Sequence, residues 1–316
     1  MRTPHMEPTR PSGSVFVVGG INCDITGAVT AAVQPGTSNP GRVTLSAGGV
    51  ARNVAENLAR LGTEVVLFGA VGTDPLSRWV LERTRESGVD TGGVIRRRTH
   101  LPGMYVSVLG AGELESAVAD MTATETLRPA DVVRRLDAAA VSAPPGMVIL
   151  DTNLVTGTLQ AAMDWAARRQ IPVLVDPVSV EKAGRLARCR GVVEFVTPNA
   201  DEAELLRGWR AGGSSLRVRY WIETDGVAGV TLREGAGPRE TVRRFPVTSV
   251  MPVNVNGAGD AFVAAFAAAL IRGLEPEEAI RRGIAAGALT VASEQTVDPH
   301  MSWQRIEAAV EKEKQG

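Results

Sequence analysis

Apolar and polar positions alternate along this chain with two different periods, and each period predicts its own elements. The run Ser14–Asn22 (SVFVVGGIN) is apolar and closes on glycines, which predicts a buried strand. Gly27–Val33 and Arg42–Ser46 alternate on either side of the turn-rich QPGTSNPG and read as exposed strands. Val50–Leu61 follows a helical period and stops at Gly62, which suits a left-handed C′ position. EVVLFGAVG is the next strand, and Asp74-Pro75 opens a helix as N-cap and first helical residue. Met104–Leu109 alternates again. Val148–Asp151, Val173–Val175 and Phe195–Thr197 are short β-branched runs, each followed by a helical segment. Arg219–Glu223 and Val227–Leu232 bracket Thr224-Asp225-Gly226, a hairpin signal that makes Asp225 a turn residue. Gly257–Arg272 and Pro276–Ala292 close the pattern as two alanine-rich helices.

Strands alternating with helices imply an α/β domain whose Rossmann-like parallel sheet is covered by helices on both faces. The alternating stretches near 25–47 and 100–121 do not fit that sheet. They predict a small β-sheet lid extruded from it. The expected organisation is one domain over 14–316, after a disordered leader over 1–13. There is no internal repeat and no low-complexity tract.

Composition narrows the picture by exclusion. With 316 residues, 44% of them hydrophobic, the chain can build a large core. A net charge of -1 supplies no field that would draw it to nucleic acid or an anionic membrane. Two cysteines, Cys23 and Cys189, make no disulfide framework, and three histidines show no zinc spacing. Both thiols are expected to be reduced core residues. No apolar run reaches the ~18–20 residues of a membrane span, and the N-terminal stretch has no apolar signal region. The expected location is the cytoplasm.

Candidate chemistry concentrates in NVNGAGDAF, residues 254–262. Gly257, Ala258 and Gly259 lead into a helix, so unpaired N–H groups and the helix dipole form an anion site that small residues leave open. Asp260 lies in the first turn, where the dipole favours the ionised form. Beside a phosphate, such a carboxylate makes sense as a base that takes the proton of an attacking hydroxyl. The plainer alternative is a helix-start acid after a tight turn. The dinucleotide fingerprint G-x-G-x-x-G and the Walker P-loop are both absent.

Other candidates carry similar alternatives. Asn22 and Asp24 follow the first strand, where an open α/β sheet binds ligands, and a carboxylate suits a vicinal diol; an Asx turn would also explain Asp24. Gly48 and Gly49 let backbone approach a ligand, with Asn53 one turn into the helix, or else form a linker beside a surface Asn. Asn199 and Glu202 share a helix face at i, i+3. They could serve a water-coordinated Mg²⁺ or cap the helix.

Taken in order, GGINCD, AGGVARNVAENLARLG, TPNADEAELL and NVNGAGDAF resemble the ribokinase/PfkB family of sugar and nucleoside kinases. The resemblance runs from about Val15 to Val297. It implies a ribokinase-like fold with a β-sheet lid, ATP as donor, Mg²⁺, and phosphorylation of a primary hydroxyl. A monovalent cation is a further candidate. By motif, Asp260 becomes the general base and Gly257 to Gly259 the anion hole. Asp24, Gly48, Gly49 and Asn53 become ligands of sugar hydroxyls, and Asn199 and Glu202 serve metal and phosphates.

Within the family the chain looks most like the bacterial branch acting on pseudouridine. The lid stretch SNPGRVTLSAGGVARNVAENLARLG carries that likeness. So do Asp120-Met121, Asp151-Thr152-Asn153-Leu154 and Asp176-Pro177-Val178-Ser179, and Asn254 where sugar kinases carry Asp. The implied substrate is a small nucleoside whose C-linked uracil needs polar readers. Asn39, Ser107 and Asn153 are candidates by position. The resemblance also implies a homodimer through the lid strands, whose unpaired edges invite pairing.

Two departures bear on ATP. Glu223 stands where family members carry small residues, raising like-charge repulsion with phosphates. The segment 203–220 is short for the further helix the family places there. These departures keep two alternatives open: another sugar or nucleoside kinase of the family, and a nucleoside-binding protein that no longer uses ATP.

Overall fold

The computed structural model describes residues 13–211, 213–235, 240–247 and 253–315; the leader expected over 1–13 lies, apart from Gly13, outside them. The chain begins with β1 (Ser14–Val18), β2 (Asn22–Val29), β3 (Gly41–Gly48), α1 (Val50–Arg60), β4 (Val65–Phe68), β5 (Ala70–Val71) and α2 (Pro75–Glu86). There follow β6 (Ile95–Arg96), β7 (Gly103–Gly110), β8 (Glu113–Asp120), the single-turn α3 (Thr122–Glu125) and α4 (Pro129–Ser142). Strand–helix alternation then takes over: β9 (Pro145–Asp151), α5 (Thr156–Ala167), β10 (Val173–Asp176), α6 (Val180–Ala187), β11 (Gly191–Val196), α7 (Ala200–Ala211) and β12 (Leu216–Thr224). The chain ends with β13 (Val230–Glu234), β14 (Thr241–Phe245), α8 (Ala258–Ile271), α9 (Pro276–Val291) and α10 (Trp303–Gln315).

Eight strands form the main sheet in the order β14-β13-β12-β11-β10-β9-β1-β4. The six from β4 to β12 pair in parallel, whereas β13 and β14 run antiparallel at one edge. The sheet is therefore mixed, not all-parallel. β12 turns back through Asp225–Gly229, which holds a short 3-10 turn instead of a two-residue hairpin, and no helix intervenes to carry the chain across.

Side chains of β1 point alternately into two apolar layers. Val15 and Val17 pack with α1, α2, α8, α9 and α10, while Phe16 and Val18 pack with α4, α5, α6 and α7. Burial on both faces explains why these strands read as unbroken apolar runs. Each fully buried large side chain in these layers contributes roughly 1.5–3 kcal/mol. Helix α8 is buried along its whole apolar length from Ala261 to Leu270. Its alanines let α9 pack closely, and Gly283 of α9 leaves room for Phe262, whose ring lies 2.6 Å from where a Cβ would stand. Cys23 and Cys189 are buried free thiols, as expected.

A second sheet, β3-β2-β7-β8, stands apart from the main one. The expected first strand thus divides: β1 ends at Val18, and Asn22 opens β2 in the second sheet. That strand stops at Val29, short of the expected Val33. The roots of the second sheet lie next to the main sheet, because Gly48 at the end of β3 leads straight into α1. Between α7 and β12 no further helix occurs among the described residues, as the short segment implied.

Candidate active site

Helix α8 starts at Gly257, whose φ of 81° is left-handed, and no side chain caps its N-terminus. The two glycines of this turn differ in kind. A Cβ on Gly257 would lie 2.0 Å from the Thr296 carbonyl oxygen, so this glycine is required by the backbone. A Cβ on Gly259 would meet nothing within 4 Å. The space in front of Gly259 is open beside the uncapped helix end, the arrangement an anion needs.

Asp260 follows in the first turn and accepts a hydrogen bond from Asn53 Nδ2 at 2.8 Å. Two helix starts separated by more than two hundred residues therefore meet at one carboxylate. Burial pushes the Asp260 carboxyl up to about 7, the Asn53 bond pulls it down, and Asp151 raises it further. The expectation that the helix dipole keeps this group ionised at neutral pH is corrected: desolvation dominates, and the carboxyl titrates near neutrality.

Asn22 and Asp24 sit on one face of β2. Asn22 lies between Gly48 of β3 and Gly103 of β7, while Asp24 lies between Ser46 and Tyr105. The glycine at 48 is explained by Asp24 itself, since a Cβ there would be 2.0 Å from Asp24 Oδ2. Gly49 has a φ of 95° and presses on the backbone of Gly20. Both glycines thus shape the protein's own packing around the Asp24 carboxylate. Asn22 Oδ1 and Asp24 Oδ1 are buried acceptors without a hydrogen-bond partner. Buried acceptors left open are where a ligand's hydroxyl donors fit. Burial raises Asp24 to about 6, against the pull of Arg52.

The other sequence candidates divide. Ser107 is buried on the same face of the second sheet and shares a 3.1 Å hydrogen bond with Thr26. Asn153 is buried behind Gly20, and its Oδ1 accepts from Lys182 Nζ at 2.7 Å. Asn39 closes its own loop instead: its side chain bonds the backbone of Gln34 and Thr37, which removes it from the other candidates. Asp74 caps α2 through Ser77, as its position predicted.

Asn199 and Glu202 form a reciprocal capping box. The Glu202 carboxylate accepts from the backbone N–H and the side-chain amide of Asn199, and the Glu202 N–H donates to Asn199 Oδ1, at 2.9–3.0 Å. The capping alternative is thus realised. Nearby, burial and then Asp260 hold the Asp176 carboxyl well above the usual range, with Glu202 and Asp151 adding to it. This surplus of carboxylates suits a hard cation. Among the described residues no three His, Cys, Asp or Glu side chains gather closely enough to cage a metal. Any cation held by this set would keep most of its waters.

Glu223 does not present a bare charge. Its Oε1 accepts from Arg207 Nη1 at 2.6 Å and Arg233 Nε at 3.0 Å. The expected repulsion is corrected to an ion-paired carboxylate at the strand end.

Two contributors escape the sequence reading. Asp151 at the end of β9 accepts from the N–H groups of Gly20, Ala51 and Asn153 at 2.8–3.0 Å, capping α1 from another strand. Arg52 is 4% exposed and bonds Asn53 Oδ1. An Arg52–Glu56–Arg60 ladder at i, i+4 is visible in the sequence, but that spacing ordinarily marks a solvated helix face.

Residues 12–303 match the pfkB family carbohydrate kinase. The chain is 28% identical to the pseudouridine kinase of Escherichia coli (strain K12) over 318 residues, which span 96% of this chain and 98% of that protein. It is similar to the structure of a carbohydrate kinase from Agrobacterium tumefaciens, with a TM-score of 0.80 and 30% identity over 94% of this chain and 97% of the other. An Arabidopsis thaliana ribokinase complexed with ribose and ATP shares the fold at a TM-score of 0.79 and 21% identity, over 95% of this chain and 99% of the other.

Proposed function

The chain belongs to the pfkB family of carbohydrate kinases, a phosphotransferase family acting on hydroxyl groups, and we propose that its acceptor is the 5′-hydroxyl of pseudouridine, phosphorylated at the expense of ATP. The observation that carries this reading is the meeting of Asp260, Asn53 and Asp24 beside the uncapped start of α8. The likeness to the Escherichia coli pseudouridine kinase supports the choice of nucleoside.

In this reading the open carboxylate and amide oxygens of Asp24 and Asn22 accept the ribose hydroxyl protons. Asp260 takes the proton of the 5′-hydroxyl as its oxygen attacks the terminal phosphorus of ATP, whose bond to the bridging oxygen breaks to release ADP. The N–H groups over Ala258 and Gly259 receive the transferring phosphoryl group. Glu202 and Asn199 would hold a hydrated Mg²⁺, which neutralises phosphate charge when bound. The buried Asn153 and Ser107 are the readers of the uracil edge. The second sheet acts as the lid, and the enzyme works in the cytoplasm.

The lid's outer face supports a homodimer. Leu45, Ile25, Val106 and Val118 form one row across all four strands, joined by Val43. Val43 and Val118 are 66% and 67% exposed, a cost that pairing with a second copy would remove.

A coupled ADP-release assay across pseudouridine, uridine, adenosine, inosine and ribose tests the acceptor. Pseudouridine is expected to give the highest kcat/KM. Preference for ribose or a purine nucleoside would replace the acceptor within the same family. Calorimetry showing nucleoside binding with no ATP binding in Mg²⁺ would overturn transfer itself.

A further inference from the structure

Arg52 carries a full positive charge into the interior, which is costly unless it is compensated. Its Nη2 pairs with Glu56, which Arg60 also holds at 2.6 and 2.9 Å. If packing were the only need, an apolar side chain would serve as well. The rest of its bonds point elsewhere. Nη1 donates to the Ala47 carbonyl at 2.5 Å and to Asn53 Oδ1 at 2.7 Å. Ala47 belongs to β3, the strand that runs from the lid into α1.

The consequence falls on the Asn53 amide. Its oxygen faces a cation and its nitrogen faces the Asp260 carboxylate. Turned over, it would set oxygen against carboxylate and N–H against guanidinium, two repulsive contacts in place of two attractive ones. We propose that Arg52 is a positioning residue: it fixes the Asn53 amide so that Nδ2 grips Asp260, and its bond to Ala47 ties that grip to the seating of the lid strand β3. This rests on Asp260 being the base. Asp260 also faces Asp24 of β2, Asp151 at the end of β9 and Asp176 at the end of β10. Arg52 is the cation among the charges bearing most on it, and it lowers the Asp260 carboxyl toward ionisation.

The test combines Arg52→Lys, the pair Arg52→Gln with Glu56→Gln, and Asn53→Ala, each alone and Arg52→Lys joined to Asn53→Ala. Arg52→Lys keeps the charge but loses the fork, and is expected to lower kcat about 10- to 100-fold with little change in acceptor KM. In the Asn53→Ala background the same substitution should cost no more than about two-fold, because its route is already cut. The ionisation of Asp260, followed by carbon NMR of aspartate-labelled protein and assigned with Asp260→Asn, should shift to higher pH in the Gln pair and stay in place with Lys. Losses that multiply across the two backgrounds would overturn the proposal, as would folded variants with parental kcat and titration. If the Gln pair does not fold, the cycle with Arg52→Lys decides. A parent that phosphorylates no acceptor in the panel would instead count against the base reading, and the titration, which needs neither acceptor nor nucleotide, would still decide for or against Arg52.

Discussion

Asp260 is held in a protonation state that suits chemistry and burdens the fold. Its carboxyl titrates near 7 against an ordinary 3.8, so between those values the unfolded chain has released a proton that the folded one keeps. Stability therefore falls as pH rises through that window. Asp260→Asn is expected to lower kcat roughly 10²–10⁴-fold while acceptor binding persists. It should also raise Tm, little near pH 4 and by an amount worth on the order of 1–4 kcal/mol above about pH 7. Calorimetric melts at several pH values check this; a destabilised variant at alkaline pH would contradict it. In the parent, kcat is expected to climb as pH passes about 7, read from a pH–rate profile at saturating substrate. Glu223 gives a contrasting case. With its charge already met by Arg207 and Arg233, Glu223→Gln should change the KM for ATP by less than about three-fold, whereas an exposed repulsive charge would make the change much larger. Asn254 shows why one residue type is needed: its Oδ1 accepts from the Asn256 N–H while its Nδ2 donates to the Glu294 carbonyl, and an aspartate can do only the first.

At the level of elements, the two glycines at the start of α8 separate folding from binding. Gly257→Ala must hold a left-handed φ and push against the Thr296 carbonyl, so a loss of more than about 1 kcal/mol in a denaturant melt is expected. Gly259→Ala stands in a helix with free space around it and should keep or gain about 0.5–1 kcal/mol. The same methyl group intrudes where phosphate is proposed to lie, so the KM for ATP should rise. Equal effects of the two on stability would defeat this division. Helices and parallel strands were legible in the sequence because burial on both faces writes continuous apolar runs and clean helical periods. The antiparallel turn from β12 into β13 was legible in the hairpin signal at Thr224-Asp225-Gly226, whereas β14, a short exposed edge strand, was not. Candidates with local signatures, Asp260 and Gly259, could be picked out from the sequence alone. Asp151 and Arg52 could not, because their meaning lies in partners on other elements: a strand end that caps a distant helix, and an ion-pair ladder turned inward. The Asn199–Glu202 pair fitted two readings at one spacing, and only hydrogen-bond geometry showed the box.

Across the whole molecule, groups from two sheets and two helix starts converge on Asp260 and Asp24, yet they stand on supports of unequal firmness. Helix α8 has no face turned to solvent between Ala261 and Leu270, and it packs on α1 and α9. Strand β8 of the second sheet is exposed from end to end. Amide hydrogen exchange should therefore sort the molecule into two classes. Protons within α8 are expected to escape only when the entire domain opens, with protection equal to the global unfolding free energy, while those of β8 leave through small local openings. Exchange of α8 well below the global limit would contradict this. The full burial of α8 then has a temporal meaning: the group proposed to take the proton is anchored to a part of the chain expected to open slowly, and the sheet proposed to receive the acceptor ends in a strand expected to open fast.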